Sequence, residues 1–239
     1  MFTAEKIRRL LWGTLVFWTC LLGVLMVFDL GESQVNALQL NSIFSRILQA
    51  VDVIWIGLGA AFVYFYLIRH EGIAAARRAT IAILLGSFFV SLLSLRTGFP
   101  LGPLIYTARL GTRLAGVPFG VPLLWLVVVV CARYVVLHLL THAKRWQIAL
   151  GGGFLAATTD VALEWIAWKI RVWWLWYFPL ANTPDWPPLR NVATWFLLSA
   201  LFIGVAFPSA RPVGKHWNPV ILLAAMNLLF WLTIALRLR

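Results

Sequence analysis

The stretch GVPLLWLVVVVCARYVVLHLL, residues 120–140, holds one full charge, Arg133, in a run far longer than a buried strand. At 1.5 Å per residue, such a run is long enough to cross the roughly 30 Å of a bilayer's hydrocarbon core, which takes about 20 apolar residues. Backbone polar groups in hydrocarbon must be satisfied internally, so the run reads as a transmembrane helix. Comparable runs extend on both sides of it: 10–28, 48–68 and 79–95 before, and 148–168, 192–207 and 219–236 after. The expected fold is therefore all-α, a polytopic membrane bundle of about seven transmembrane helices forming a single domain over residues 1–239.

Composition agrees with lipid as the solvent. The chain has 239 residues, 62% of them hydrophobic and 12% charged. A water-facing domain usually needs about 25% charged residues. The net charge of +12 would suggest nucleic acid in a soluble protein. Here the basic residues cluster at the ends of apolar runs (Lys6, Arg8 and Arg9; Arg77 and Arg78; Lys144 and Arg145; Arg237 and Arg239), where anionic headgroups sit. Membrane lipids are thus the expected partners, and nucleic acid is not. Cys20 and Cys131 lie inside apolar runs without a ligand-spaced neighbour, so neither a disulfide framework nor a metal site is expected. The first run, 10–28, is too long for a signal-peptide core and is expected to be a retained helix. The Lys/Arg bias favours a cytoplasmic N-terminus in the inner (plasma) membrane.

Two connections, 96–119 and 169–191, are long for helix links. The first is rich in Gly and Pro yet apolar, and the second is rich in Trp. Seven alternating spans place both on one side of the membrane. Asp52, early in the second span, and Asp160 and Glu164, late in the fifth, fall in the adjoining half. Ionisable groups inside a span cost about 2.5–3.5 kcal/mol each on insertion scales, which makes them functional candidates. Asp160 and Glu164 are four apart and share one helix face, about 6 Å apart along the axis. Two bare negative charges so placed repel, so one carboxyl keeps its proton, and acid beside carboxylate suits general acid–base work. The structural alternative has the pair neutralising Arg96, Arg109 or Lys169. Asp52 either joins the same pocket or pairs with Arg46. His138 and His142 lie toward the opposite end of the fourth span and are not selected; Arg133 is expected to pair with an acid or to snorkel. Of 14 tryptophans, seven fall between Trp165 and Trp195. They read as an interfacial belt or as a belt that also forms a ligand wall, since indole faces stabilise cations and stack on π systems.

The run Thr97-Gly98-Phe99-Pro100-Leu101-Gly102-Pro103-Leu104-Ile105-Tyr106-Thr107, with Gly116-Val117-Pro118 and Pro122-Leu123-Leu124-Trp125 after it, resembles the membrane-bound carotenoid hydratases. That family includes the bacterial carotene 1,2-hydratases and archaeal bisanhydrobacterioruberin hydratase, and its members carry Thr-Gly-x-Pro-Phe-Gly-x-Tyr-x-Tyr. Asp160-Val161-Ala162-Leu163-Glu164 is similar to that family's acidic helix, Trp173, Trp174 and Trp176 to its Trp-rich turn, and Pro188 to Phe196 to its Pro-x-x-Asn-x-x-x-Trp-Phe segment. Order and spacing agree over roughly residues 90–200. The chain departs at Ser91, where the family has Glu, at Leu101 for Phe, at Leu104 for Tyr, and at Trp165 for Pro.

The resemblance implies a hydro-lyase that adds water to a terminal C=C of an acyclic carotenoid without a redox cofactor. It implies Asp160, Glu164, Asn191 and Tyr106 as catalytic candidates. It further implies Trp173, Trp174, Trp176, Trp195, Trp125, Pro100 and Gly102 as substrate-binding candidates, with a carotenoid or other long apolar molecule as ligand. The competing reading is a non-catalytic pigment- or lipid-binding subunit of a larger membrane complex. A transporter is less well matched, because the acidic residues stop in one half of the membrane.

Overall fold

The computed structural model of the protein describes residues 4–27, 50–177, 188–207 and 217–237. Among them are seven α-helices: α1 (Ala4–Val27), α2 (Val51–Glu71), α3 (Ile73–Thr97), α4 (Gly120–Leu139), α5 (Arg145–Trp165), α6 (Leu189–Ala206) and α7 (Trp217–Arg237). Two small antiparallel ribbons join them, β1 (Leu104–Tyr106) with β4 (Trp174–Trp176), and β2 (Arg113–Leu114) with β3 (Val117–Pro118). The architecture is the expected all-α bundle, and its helices make it a multi-pass membrane protein.

Helix α4 is the hub. A helix apolar on every side belongs in a bundle's centre. Accordingly 89% of the apolar span of α4 is buried, against 28% of that of α3, whose outer face is left for lipid. Helices α2, α3, α5 and α7 all pack on α4, while α1 lies outside on α2 and α7. Five helices are long and apolar enough to cross a membrane: α2, α3, α4, α6 and α7. Helix α1 contains the shorter apolar segment Arg9–Val24. The fifth expected span, α5, carries Thr159, Asp160 and Glu164 inward, all three buried.

Two boundaries differ from expectation. A connection was expected over 69–78, but α2 and α3 run on through it and meet at Gly72 alone, whose φ of 84° suits glycine. Charged residues at a span's end belong to the interface and need not end the helix. At the other end, α5 stops at Trp165 and continues as a π-helical turn, Ile166–Ile170.

The tightest helix pair is α5 with α6. A Cβ on Gly153 would lie 2.7 Å from the Phe196 carbonyl oxygen and 2.9 Å from Ala200 Cβ. Small residues at such crossings let backbones approach closely. Gly153→Val is therefore expected to cost about 1–3 kcal/mol by overpacking. Gly13→Val in α1, where an added Cβ meets nothing within 4 Å, is the control. Thermal unfolding in detergent should show a lower midpoint for the first variant only.

The two long connections are not irregular throughout. β1 pairs with β4 in the register Leu104↔Trp176, Ile105↔Leu175 and Tyr106↔Trp174. The pairing is extended by Thr107 N–H to the Trp173 carbonyl (2.9 Å) and Tyr177 N–H to the Pro103 carbonyl (2.8 Å). It satisfies backbone groups that would otherwise be bare beside a membrane. The strand pattern puts Leu104, Tyr106, Trp174 and Trp176 inward, and Ile105 and Leu175 outward.

At the opposite end of the bundle, Arg133 pairs with an acid, as expected. The acid is Glu71, which also accepts from the Tyr134 hydroxyl at 2.6 Å. The Arg133 guanidinium lies 4.2 Å over the Phe207 ring. Arg78 and Arg145 donate to the Ala206 and Phe207 carbonyls at the C-terminal end of α6, where cations are favoured.

Candidate functional site

Asp160 and Glu164 sit one turn apart on the inner face of α5, both fully buried. Across the tight α5–α6 contact, the first turn of α6 brings Asn191 between them. Its Nδ2 donates to Asp160 Oδ2 at 2.9 Å and to Glu164 Oε1 at 2.8 Å. Both hydrogens of one amide are thus spent on the two carboxyls. The second oxygen of Glu164, Oε2, accepts from Trp174 Nε1 at 3.1 Å and Trp176 Nε1 at 2.9 Å. Glu164 therefore holds three N–H donors, whereas Asp160 Oδ1 has none. The alternative in which these acids neutralise Arg96, Arg109 or Lys169 is not what the structure shows. Their partners are an amide and two indoles, and the Lys169 ammonium instead sits 3.8 Å over the Trp168 ring.

Beside Glu164 lies a small cavity. Its wall is made by Leu101, Leu104, Tyr106, Val121, Leu124, Trp125, Glu164, Trp174, Trp176, Asn191 and Trp195. The space open to a water centre is about 20 Å³, enough for a single water. One side is a pair of stacked indoles, Trp125 from α4 and Trp195 from α6, with ring centroids 3.6 Å apart and planes within 7°. Another is the inner face of the ribbon, where Tyr106 meets Trp174 edge-on at 6.3 Å. Burial pushes the Tyr106 phenol well above its usual range, so it stays protonated at any physiological pH.

Tyr106, Glu164, Asn191, Trp125, Trp174, Trp176 and Trp195, each selected from sequence, meet at this cavity. Asp160 is held behind the wall through Asn191. Gly102 and Pro100 brace the site from outside. A Cβ on Gly102 (φ 136°) would lie 2.6 Å from Trp176 Cζ3, and the Pro100 carbonyl accepts from Thr194 Oγ1 at 3.3 Å. Trp173 points elsewhere: its Nε1 donates to Asp52 Oδ2 at 2.9 Å.

Among the described residues, the counterpart of Asp52 is a cation not weighed from sequence, Arg171. Asp52 Oδ2 also accepts from Arg171 Nε at 3.0 Å and Nη2 at 2.8 Å, both groups being buried; Arg46 lies outside the described residues. The π-helical turn makes this meeting, with Arg171 N–H bonded to the Ile166 carbonyl and Trp173 N–H to that of Ala167, both at 2.6 Å. Arg171 was the residue that sequence reasoning missed. The available signal was a buried acid in need of a cation and a lone arginine opening the Trp-rich run.

A family model described as carotenoid biosynthesis protein matches residues 51–238. The chain belongs to that family. Carotenoid biosynthesis family membership thus covers α2 to α7 and every residue of the cavity wall, and leaves α1 outside the match. It ties the chain to carotenoid biosynthesis, for which a lipid-embedded bundle with an apolar, aromatic cavity is a fitting setting. No curated protein and no solved structure matches the chain.

Proposed function

We propose that the protein is a carotenoid hydratase, adding water across the terminal C=C of an acyclic carotenoid end. The observation that carries this reading is Glu164. It is a buried carboxyl held by three N–H donors on the wall of a cavity the size of one water, between aromatic faces.

Two negative charges one turn apart in a buried site repel, so Asp160 and Glu164 hold one proton between them. Glu164, the member on the wall, delivers it to C2 of the terminal double bond. The π bond breaks, a C2–H bond forms, and positive charge develops at the tertiary C1. The π faces of Trp125, Trp174 and Trp195 stabilise that charge. Water bonds to C1 and its proton returns to Glu164, restoring the carboxyl, so the net change is one water added. Three N–H donors favour Glu164 as the carboxylate at rest, with the shared proton on Asp160; entry of the polyene end draws Trp176 off Glu164 and moves the proton to it, while Asn191 keeps the pair in register. Entrance of the polyene end displaces the ribbon side of the wall at Leu101, Leu104 and Trp176, the side not built from helix backbone.

Expression in a host that accumulates acyclic carotenoids tests the proposal. A pigment heavier by one or two waters is the expected product. Carotenoid that copurifies with the protein unchanged, with no hydrated product in the host, would favour the pigment-binding reading instead. That reading draws support from Ser91, which stands where the similar hydratases have a glutamate.

A further inference from the structure

Hydroxyls in these helices follow a pattern. Ser87, Thr97, Thr159, Thr194 and Thr233 each donate to the carbonyl four residues earlier, at 2.6 to 2.9 Å. Such back-bonding is how a serine or threonine in an apolar helix satisfies itself. Thr80, Ser199 and Ser91 depart from the pattern, and Ser91 lies beside a cavity residue, Tyr106. Ser91 is completely buried in α3, one turn beyond Ser87, and its Oγ has no hydrogen-bond partner. Helix α3 packs on β1, and the Tyr106 hydroxyl neighbours the Ser91 Oγ without a formed hydrogen bond. A wholly buried hydroxyl left bare costs about 1–3 kcal/mol and calls for an explanation. Tyr106 itself lies on the cavity wall.

We propose that Ser91 is a positioning residue for water capture: its Oγ accepts the Tyr106 O–H, which leaves the lone pairs of the phenol oxygen turned into the cavity. Those lone pairs accept a hydrogen from the cavity water and so direct the water's own lone pair away from Tyr106, toward the carbon that becomes C1. Because the phenol stays protonated, it has one hydrogen to place. Without Ser91 that hydrogen turns inward and occupies the lone pair the reaction needs. The proposal rests on the hydratase reading, and it divides the chemistry in two. Glu164 governs protonation of the alkene, whereas Ser91 acts only on the later capture of the cation.

That division supplies the test. In D2O, a cation that forms but escapes capture loses a proton again and returns as alkene, with deuterium entering at C2. The ratio of exchanged substrate to hydrated product therefore reads capture alone. Ser91→Ala is expected to raise this ratio about tenfold, the worth of one hydrogen bond, and Ser91→Thr to restore it. Equal loss of exchange and hydration in Ser91→Ala, with no change in ratio, would overturn the role. A second measurement needs no turnover: the full-length protein labelled with 13Cζ-tyrosine, its Tyr106 signal assigned with Tyr106→Phe. That signal should shift in Ser91→Ala and return in Ser91→Thr. An unmoved signal overturns the contact, even if the wild-type protein hydrates carotenoid normally. A wild-type protein that neither exchanges nor hydrates, but shows the tyrosine shift, would overturn the hydratase reading and with it the positioning role of Ser91.

Discussion

Glu164→Gln should abolish hydrated product, with conversion falling by about 10² to 10⁴, the usual contribution of a positioned general acid. The side chain keeps its length, and its amide oxygen can still accept from Trp174 and Trp176, which bind Glu164 Oε2 at 3.1 and 2.9 Å. What it loses is a proton that can leave. Asp160→Asn should fall by a smaller factor, because Asp160 is held behind the wall and reaches the alkene only through Glu164. The pair of variants separates the two roles. Hydrated pigment formed at the wild-type rate by Glu164→Gln would remove Glu164 as donor, and a larger loss from Asp160→Asn than from Glu164→Gln would reverse the assignment. Deuterium exchange into the substrate should disappear with hydration in Glu164→Gln, since protonation precedes both.

The second large effect is on stability. Asp52→Ala leaves the Arg171 guanidinium buried without its carboxylate and the Trp173 N–H without an acceptor. Breaking one side of a buried ion pair typically costs about 3–5 kcal/mol. The loss should be felt locally first, because Asp52 ties the start of α2 to the turn that leads into β4. Val172, within that turn, has a φ of 51°, an uncommon conformation for a β-branched residue and one the surroundings must enforce. Release of the turn would withdraw Trp174 and Trp176 from Glu164. Asp52→Ala is therefore expected to lower the thermal midpoint in detergent and to reduce hydration together. The double variant Asp52→Ala with Arg171→Met should recover much of the midpoint, since it removes the unpaired charge, yet leave activity low. A midpoint for Asp52→Ala within a degree of wild type would show that the pair does not hold the turn.

Much of this was legible in the chain itself. Length, charge poverty and apolar runs dictate a helical membrane bundle, because a continuous apolar run of about 20 residues satisfies its own backbone in hydrocarbon as a helix. The spacing of Asp160 and Glu164 puts them on one face, and the alternation of spans puts them near residues 96–119 and 169–191. Both placements follow from helix periodicity and direction, which are local properties. The stop points of α2 and α3 were less legible, because interfacial charges mark where lipid ends and say little about where helical hydrogen bonds end.

Tertiary structure decided the rest. Hydropathy leaves open whether two loops on one side touch; the β1–β4 pairing, which brings Trp174 and Trp176 over Glu164, depends on helix packing that holds the loops together. The same holds for Arg171 finding Asp52 across 119 residues, and for Asn191 bridging two acids only because Gly153 lets α6 come close. Periodicity along the sequence assigned each polar side chain to a depth and a face. Which donor meets which acceptor was set by the distances between elements, and those arise from packing that no single segment encodes.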